Sequence, residues 1–450
     1  MNQINFLACS KSLSLKFLRK YFTTNEIIKG FVNAIFISAF IFLDLFDSVL
    51  LKNLSPFLAI YGLYRVIGAS RWEFYHSGFF IGVFWFYWIS FSLRYFNLSF
   101  FIPLEIVAIA IVYGLIFTIA ALPKQLYLRA LLLVAIGYIH PFGFNWFSLE
   151  LTLINGVFEP NLRGLGALLF VIVILKSRVK FQLKFLLALI GSLSALSFTT
   201  LPINKAPLNI YLANYNVDQS ERLDGSKIDE MIGKNLTTIT KAIDDGYRVV
   251  VLPESAFMLY LNKERYLTNY LKELSNQIAI VTGALSYEDG KFYNSTYLFD
   301  KGEQKRLDKV ILVPFGEEIP LPKFMKKLIN KTIFEAQDDF SKASEVGSYE
   351  IDGVSFTNAI CYEATRAEIY KNSPSFVIAI SNNAWFTPST EPTLQRLFIK
   401  YFATKHNTVV YHSVNGSKSE IITPKRTELA KFIESLKLFI MDKFNLKTKI

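Results

Sequence analysis

The stretch Ser355-Phe356-Thr357-Asn358-Ala359-Ile360-Cys361-Tyr362-Glu363 decides how the second half of the chain folds, because an apolar run ends there in a polar turn that begins with a thiol. Two other apolar runs each lie next to a charged residue. Val249-Val250-Val251-Leu252-Pro253 leads to Glu254, and Lys309 opens the run Lys309-Val310-Ile311-Leu312-Val313. A carboxylate, an ammonium and a thiol at the ends of buried strands are the groups that acyl transfer through a thiol requires.

Short apolar runs alternate with amphipathic segments through residues 204–450, which predicts an α/β layered domain. The runs lack polar alternation, as strands buried on both faces do. Predicted strands cover 208–214, 248–252, 278–284, 294–299, 309–313, 355–360, 376–381 and 409–414. Predicted helices cover 226–244, 262–276, 364–372 and 393–405, the last with one apolar face formed by Leu394, Leu397, Phe398, Tyr401 and Phe402.

The connection 315–350 is long, which is typical of an active-site loop. Within it, one helical face is formed by the apolar residues Phe324, Leu328, Ile329 and Ile333. This face is surrounded by four lysines, Lys323, Lys326, Lys327 and Lys331. Such a basic amphipathic segment can dock on an anionic lipid surface or pack on its own domain, and the sequence leaves both possibilities open.

Charged residues divide the chain into two halves. Residues 31–203 contain 11 Lys/Arg and 6 Asp/Glu, whereas residues 204–450 contain 32 and 30. The first density is too low for a soluble domain and predicts a membrane domain. About seven spans are expected, near 31–51, 55–70, 74–93, 100–122, 128–148, 162–176 and 184–203.

The positive charge follows the membrane half. Of the net charge of +11, residues 204–450 contribute only 32 − 30 = +2. Basic residues crowd the N-terminal tail and alternate loops, a bias that predicts a cytoplasmic N-terminus and, after seven spans, a second half outside the cytoplasm. A basic face with interleaved aromatics is missing from the soluble half, so nucleic-acid binding is not expected.

These patterns predict four parts: a cytoplasmic tail (1–30), a transmembrane domain (31–203), a catalytic domain outside the cytoplasm (204–424) and an amphipathic, charged C-terminal tail (425–450). The two cysteines, Cys9 and Cys361, then lie on opposite sides of the membrane and cannot pair. A single thiol in an oxidising compartment is easier to explain if its reactivity is used.

Four motifs in order carry a resemblance. They are Val251-Leu252-Pro253-Glu254-Ser255, Lys309 with Leu312-Val313-Pro314-Phe315-Gly316-Glu317, Cys361-Tyr362-Glu363, and Ser381-Asn382-Asn383-Ala384-Trp385-Phe386. Together they resemble the nitrilase, or carbon–nitrogen hydrolase, superfamily. With the multi-span N-terminal half, they are similar more narrowly to bacterial apolipoprotein N-acyltransferases.

This resemblance implies an α-β-β-α sandwich after the membrane domain, and an enzyme of the inner membrane whose catalytic domain lies on the periplasmic face. Such an enzyme moves a fatty acyl group from a phospholipid to the N-terminal amine of a diacylglyceryl-cysteine apolipoprotein. By motif, Glu254 resembles the general base, Lys309 the oxyanion cation and Cys361 the nucleophile, through a thioester. Glu317 resembles their support, and substrate-binding positions are implied for Tyr362, Glu363, Asn382, Trp385 and Phe386. No metal or organic cofactor is implied.

The chain departs from the family pattern at two places. The charged tail 427–450 cannot form the family's final span, and Asn383 stands where the family commonly has Asp. The main competing hypothesis is a membrane-tethered amidase or nitrilase-type hydrolase that uses the same three residues with water as acceptor. A membrane scaffold with an inactive domain is disfavoured because all three residues are present. A transporter is disfavoured because the spans show no obvious inverted repeat.

Overall fold

The computed structural model describes residues 24–199, 201–314, 316–318 and 340–443, the last without side chains from 437. The segment around 324–333, predicted as a basic amphipathic helix, and Cys9 lie outside the described residues. Two compact units divide the chain: residues 1–139, 147–198 and 427–450 form the first, and residues 140–146 and 199–426 form the second.

The first unit consists of apolar helices in the region where spans are predicted. They are α1 (Thr24–Asp44), α2 (Val49–Ile67), α3 (Arg71–Phe86), α4 (Ile102–Ala120), α5 (Leu126–Ile136), α6 (Leu162–Lys176) and α7 (Phe181–Ala195), and the C-terminal helix α12 (Glu428–Lys443) groups with them. Within the described residues, three helical stretches are long and apolar enough to cross a membrane: Thr24–Asp44, Arg71–Phe96 and Ser99–Ala120.

Helix boundaries in this unit follow capping and helix-breaking residues. The predicted first span, 31–51, is interrupted, because the Ser48 side chain accepts a hydrogen bond from the backbone N–H of Leu51 and so begins a new helix. The predicted fifth span, 128–148, is helical only to Ile136. Gly137 and Pro141 follow, and the chain continues in 3₁₀ turns.

The second unit contains two six-stranded sheets. The first sheet has the order β1-β3-β5-β6-β7, with β4 beside β5, and the second has the order β12-β11-β10-β9-β8, with β2 beside β11. The first sheet consists of β1 (Ile210–Leu212), β3 (Val249–Val251), β4 (Phe257–Tyr260), β5 (Ala279–Glu288), β6 (Lys291–Asp300) and β7 (Glu303–Asp308). The second consists of β2 (Asn214–Tyr215), β8 (Ser348–Ile351), β9 (Val354–Ile360), β10 (Phe376–Asn382), β11 (Val409–Asn415) and β12 (Glu420–Ile422).

Alternate residues of the buried strands point to opposite faces of their sheet. Val249 and Val251 join a core between the two sheets, together with Ala279, Val281, Ile360, Ile378, Ile380 and Val409. Val250 and Leu252 join a second core, against residues Met231, Ile239 and Ala242 of α9 (Ile228–Asp244) and Leu271 of α10 (Arg265–Leu274). Burial on both faces is the physical reason for the continuous apolar runs.

Helix α11 (Glu391–His406) packs on the second sheet, and α8 (Gln219–Leu223) precedes α9. The apolar face predicted for α11 is buried. The predicted layered α/β architecture is therefore confirmed, with each sheet covered by helices on its outer face.

Two predicted elements of this unit are wrong. The strand expected at 309–313 lies at Glu303–Asp308, immediately before Lys309; it is an edge strand with exposed charged residues, so it lacks an apolar run. The helix expected at 364–372 is a pair of 3₁₀ turns, Cys361–Thr365 and Ala367–Tyr370.

Candidate active site

Polar side chains gather where strands of both sheets end. Glu254 follows β3, Cys361 follows β9, Asn382 ends β10, and Lys309 follows the antiparallel strand β7. In layered α/β folds, the carboxyl ends of parallel strands form the edge at which ligands bind. The fold therefore brings together the three residues that the sequence singled out, although they are far apart along the chain.

Lys309 lies between two carboxylates. Its side chain is 1% exposed, and its Nζ lies 2.7 Å from Oε2 of Glu317 and 3.7 Å from Oε1 of Glu254. Burial by itself would lower the pKa of Lys309, but the charges of Glu317 and Glu254 outweigh burial and raise that pKa above its ordinary value. Lys309 is consequently a fixed cation at any physiological pH.

The Glu254 carboxylate is held by one hydrogen bond to each oxygen. Asn294 Nδ2 donates to Oε1 at 2.8 Å, and the backbone N–H of Asn382 donates to Oε2 at 2.9 Å. Asn294 also donates to Glu317 Oε1 at 3.0 Å, so one amide orients both acids. Gly283 of β5 lies so close that a Cβ there would stand 2.7 Å from the Glu254 Cα.

Cys361 occupies a strained backbone position. Its φ is +55°, in the left-handed region that residues other than glycine seldom adopt, at the point where β9 ends and a 3₁₀ turn begins. Burial and the Glu254 charge raise the pKa of the Cys361 thiol well above its ordinary value, against the lowering effect of Lys309. The thiol is therefore protonated at rest, and its nucleophilicity depends on a neighbouring base.

Glu363 supports the turn rather than facing outward. Its carboxylate accepts hydrogen bonds from the backbone N–H groups of Val310 (2.6 Å), Ile311 (2.9 Å) and Ile360 (2.8 Å). The pKa of Glu363 is raised to about 7 by burial, despite Lys309 and these donors. The contacts tie the segment after Lys309 to the strand that ends at Cys361.

Tyr362 packs against residues 140–146, a segment from the first half of the sequence that belongs to the second unit. The Tyr362 hydroxyl donates to Asn145 Oδ1 at 2.8 Å, and its ring stacks on Phe144 with centroids 5.7 Å apart. Trp146 donates to Thr365 Oγ1 at 2.6 Å. An aromatic surface thus adjoins the Cys361 turn.

The polar ends of β10 and β11 form a buried amide chain. Asn382 Nδ2 donates to Gln219 Oε1 at 2.8 Å, and Asn415 Nδ2 donates to Asn382 Oδ1 at 2.8 Å. Both polar atoms of the Asn382 side chain are thereby occupied, and its backbone holds Glu254. Trp385 and Phe386 follow in a partly buried turn.

The Asn383 side-chain amide donates two hydrogen bonds in the turn after β10. Its Nδ2 donates to Gln395 Oε1 and to Ser417 Oγ, each at 3.1 Å. Gln395 in turn places Nε2 3.8 Å from the Cys361 sulfur. The amide at position 383 therefore orients the amide that contacts the thiol.

Sequence reasoning did not identify Asn294, Gln395, Asn415, Gln219 or Arg222 as parts of this site. Arg222 is buried, and its Nη2 donates to the Glu254 carbonyl oxygen at 3.1 Å. The available signal was a polar residue within a predicted strand, as at Asn294 in β6. Across the part of the chain that the structure describes, no group of three or more His, Cys, Asp and Glu residues is arranged to hold a metal ion.

Comparison with known proteins yields two family matches. Residues 24–197 match the family described as apolipoprotein N-acyltransferase integral membrane domain, and residues 219–408 match the carbon-nitrogen hydrolase family. Proteins named apolipoprotein N-acyltransferase are similar over most of the chain. That of Campylobacter jejuni is 38% identical (91% of this chain, 93% of the relative), and that of Wolinella succinogenes is 39% identical (87% and 94%). That of Helicobacter hepaticus is 38% identical (85% and 96%).

Proposed function

The chain belongs to the apolipoprotein N-acyltransferase family and is an acyltransferase enzyme of a membrane, and from this premise we propose that Cys361 carries the acyl group as a thioester. The donor in this proposal is a membrane phospholipid, and the acceptor is the N-terminal amine of a diacylglyceryl-cysteine apolipoprotein. The observation that carries the proposal is the buried Lys309 cation, which is held between Glu254 and Glu317 and acts electrostatically on the Cys361 thiol.

In the first half-reaction, Glu254 accepts the Cys361 proton as sulfur attacks the ester carbonyl of the donor. Lys309 stabilises the negative charge that develops on the carbonyl oxygen, and its buried position strengthens this interaction. The C–O bond then breaks, Glu254 returns the proton to the departing alkoxide, and a lysophospholipid leaves. The thioester on Cys361 remains.

In the second half-reaction, the acceptor amine attacks the thioester. A C–N bond forms, the C–S bond breaks, and Glu254 carries a proton from nitrogen to the sulfur of Cys361. We assign Glu317, Asn294 and the backbone N–H of Asn382 to positioning, since they hold Lys309 and Glu254. Glu363 and the side chain of Asn382 likewise act as positioning groups in this proposal, because their polar atoms are occupied by protein partners.

We also propose that the enzyme lies in the bacterial inner membrane with its second unit on the periplasmic face. The support is the positive-inside bias of the first half, together with the name of the relatives, which refers to an apolipoprotein. Tyr362, Trp385 and Phe386, which lie beside the nucleophile in sequence or in the turn after β10, are proposed to contact substrate.

The test is the intact mass of the purified protein after incubation with phospholipid vesicles, next to Cys361→Ala. We expect an added fatty-acyl mass on the wild type alone, discharged by a diacylglyceryl lipopeptide. Discharge by water at the same rate, with or without lipopeptide, would establish the competing hydrolase hypothesis instead. The absence of any adduct on folded wild type would refute Cys361 as the nucleophile.

A further inference from the structure

A further buried carboxyl, that of Glu391, acts electrostatically on the Cys361 thiol and has no part in the mechanism above. Glu391 is the first residue of α11, and its side chain is 2% exposed. Its Oε2 atom is buried and makes no hydrogen bond with any residue that the structure describes. Burial of a carboxyl oxygen without a partner is unfavourable, so packing and stability do not explain why this residue is an acid.

Helical geometry directs Glu391 toward the reacting groups. Gln395 lies one turn later on the same face of α11, and its Nε2 is 3.8 Å from the Cys361 sulfur. Electrostatics agree with this placement. The Glu391 charge contributes to raising the pKa of Cys361, and burial followed by the Glu254 charge raises the pKa of Glu391 well above its ordinary value.

Three carboxylates of the site therefore differ in their partners. Glu317 is paired with Lys309, and Glu254 is held by Asn294, by the backbone of Asn382 and at longer range by Lys309. Of the three, only Glu317 and Glu254 have their negative charge balanced by Lys309, and Glu391 does not. Glu391, by contrast, is buried near the nucleophile, and one of its oxygens lacks a hydrogen bond in the described chain. Such a carboxyl is suited to receive a cation or a proton from a group that arrives later.

We propose that Glu391 is a further catalytic residue, dedicated to the acceptor half-reaction, where it binds the α-ammonium group of the acceptor and takes one proton from it. This inference rests on the proposed thioester mechanism. It assigns to Glu391 a task that Glu254 does not perform, namely converting the charged acceptor into a nucleophile.

The proton balance of the acceptor half-reaction gives such a group a task. A chain-terminal amine has a pKa of about 7.7–8.0, so it arrives mainly as ammonium with three protons, of which the amide product keeps one. Glu254 carries one proton from nitrogen to the Cys361 sulfur. The other passes to Glu391, whose own proton is displaced to solvent as the ammonium approaches. Thioester and ammonium thus become amide, thiol and one released proton, and Glu391 ends as it began.

The experiment uses the full-length protein, acylated on phospholipid vesicles and then mixed with one of two acceptors. One is a diacylglyceryl lipopeptide with its natural α-amine, and the other is the same lipopeptide with an aminooxy group, which is uncharged at neutral pH. For Glu391→Gln we expect normal acylation, discharge by the amine slowed at least about 100-fold, the low end for acid–base catalysis, and discharge by the aminooxy acceptor unchanged.

The matched control is Glu420→Gln, since Glu420 lies on β12, which packs against α11, and pairs with Arg396 at 3.6 Å. Both acceptors should discharge this variant at the wild-type rate. The role of Glu391 would be overturned if discharge of Glu391→Gln were slowed equally with both acceptors or with neither. Loss of acylation or a lowered melting temperature in this variant would overturn it as well. If the wild type itself forms no thioester, the proposed function fails instead, so the two failures are distinguishable.

Discussion

At the scale of single residues, Lys309 supplies the positive charge between the Glu254 and Glu317 carboxylates. Lys309→Met should slow acylation of Cys361 at least about 100-fold, because the oxyanion loses its cation. It should also lower the free energy of unfolding by about 3–5 kcal/mol, since Glu254 and Glu317 are left without their counter-charge. The time course of intact mass and an unfolding curve measure the two effects.

The control for this substitution is Lys227→Met. Lys227 is exposed on the surface and pairs with Glu230 at 2.9 Å, outside the site. Acylation and unfolding should both match the wild type there, because exposed ion pairs contribute little. Acylation at the normal rate in Lys309→Met would remove Lys309 from the oxyanion role.

His412 gives the protein a predictable response to acid. Burial lowers the pKa of His412 to about 3, and its Nε2 lies 2.7 Å from Ser381 Oγ. The unfolded chain takes up this proton below about pH 6.5 and the folded chain does not. The stability contributed by neutral His412 is therefore complete above pH 6.5 and is lost as pH falls toward 3, by about 1.4 kcal/mol per pH unit.

His412→Gln removes this titration while keeping a polar group near Ser381. Denaturant unfolding at about pH 7, 6 and 5 should show a shallower loss of stability for the variant than for the wild type. Parallel curves would mean that His412 takes up its proton without unfolding, and so that its burial does not govern the acid response.

At the scale of elements, the close approach of β5 to the turn after β3 fixes the position of Glu254, the proposed base. A Cβ on Gly283 would contact the Ser255 backbone nitrogen and the Glu254 Cα, and backbone atoms cannot yield as a flexible side chain can. Gly283→Ala should therefore displace Glu254 and slow acylation at least about tenfold, because small misplacements of reacting groups are costly. The acylation time course measures this.

Gly233→Ala is the matched control for Gly283→Ala. Gly233 lies in α9, and nothing stands within 4 Å of a Cβ built there. Acylation should be unaffected, and stability should rise by about 0.5–1 kcal/mol, as expected for glycine replaced by alanine in a helix. If both variants acylate equally well, the contact between β5 and the Glu254 turn has no catalytic importance.

The elements differ in how well their sequence predicted them. The apolar residues of β3 identify a doubly buried strand, whereas β7 escaped prediction because an edge strand has one exposed face and a charged sequence. The segment 140–146 gave no local sign of its place beside Tyr362, from which Asn145 is separated by 217 positions. Motif order predicted Glu254, Lys309 and Cys361; the amides around them depend on contacts between distant strands, which no local pattern encodes.

At the scale of the whole molecule, the charge asymmetry predicts the orientation of the second unit. In a Cys9→Ala, Cys361→Ala background, Ser226→Cys should react with a membrane-impermeant maleimide in intact spheroplasts, because Ser226 is exposed on the second unit. Arg178→Cys, in the basic loop between α6 and α7, should react only after lysis. Labelling of Arg178→Cys and not Ser226→Cys in intact cells would reverse the orientation.

The contacts that build the site also form in a fixed order as the chain is synthesised. Glu254 receives a hydrogen bond from Asn382, which is 128 positions later, and β9 pairs with β10 beyond Cys361. A nascent chain that ends just after Cys361 therefore still lacks β10, whose last residue holds Glu254, and such long-range pairings form late in folding. If Cys361 is the nucleophile proposed above, we expect the growing polypeptide to gain its reactivity toward lipid only when the second unit is complete.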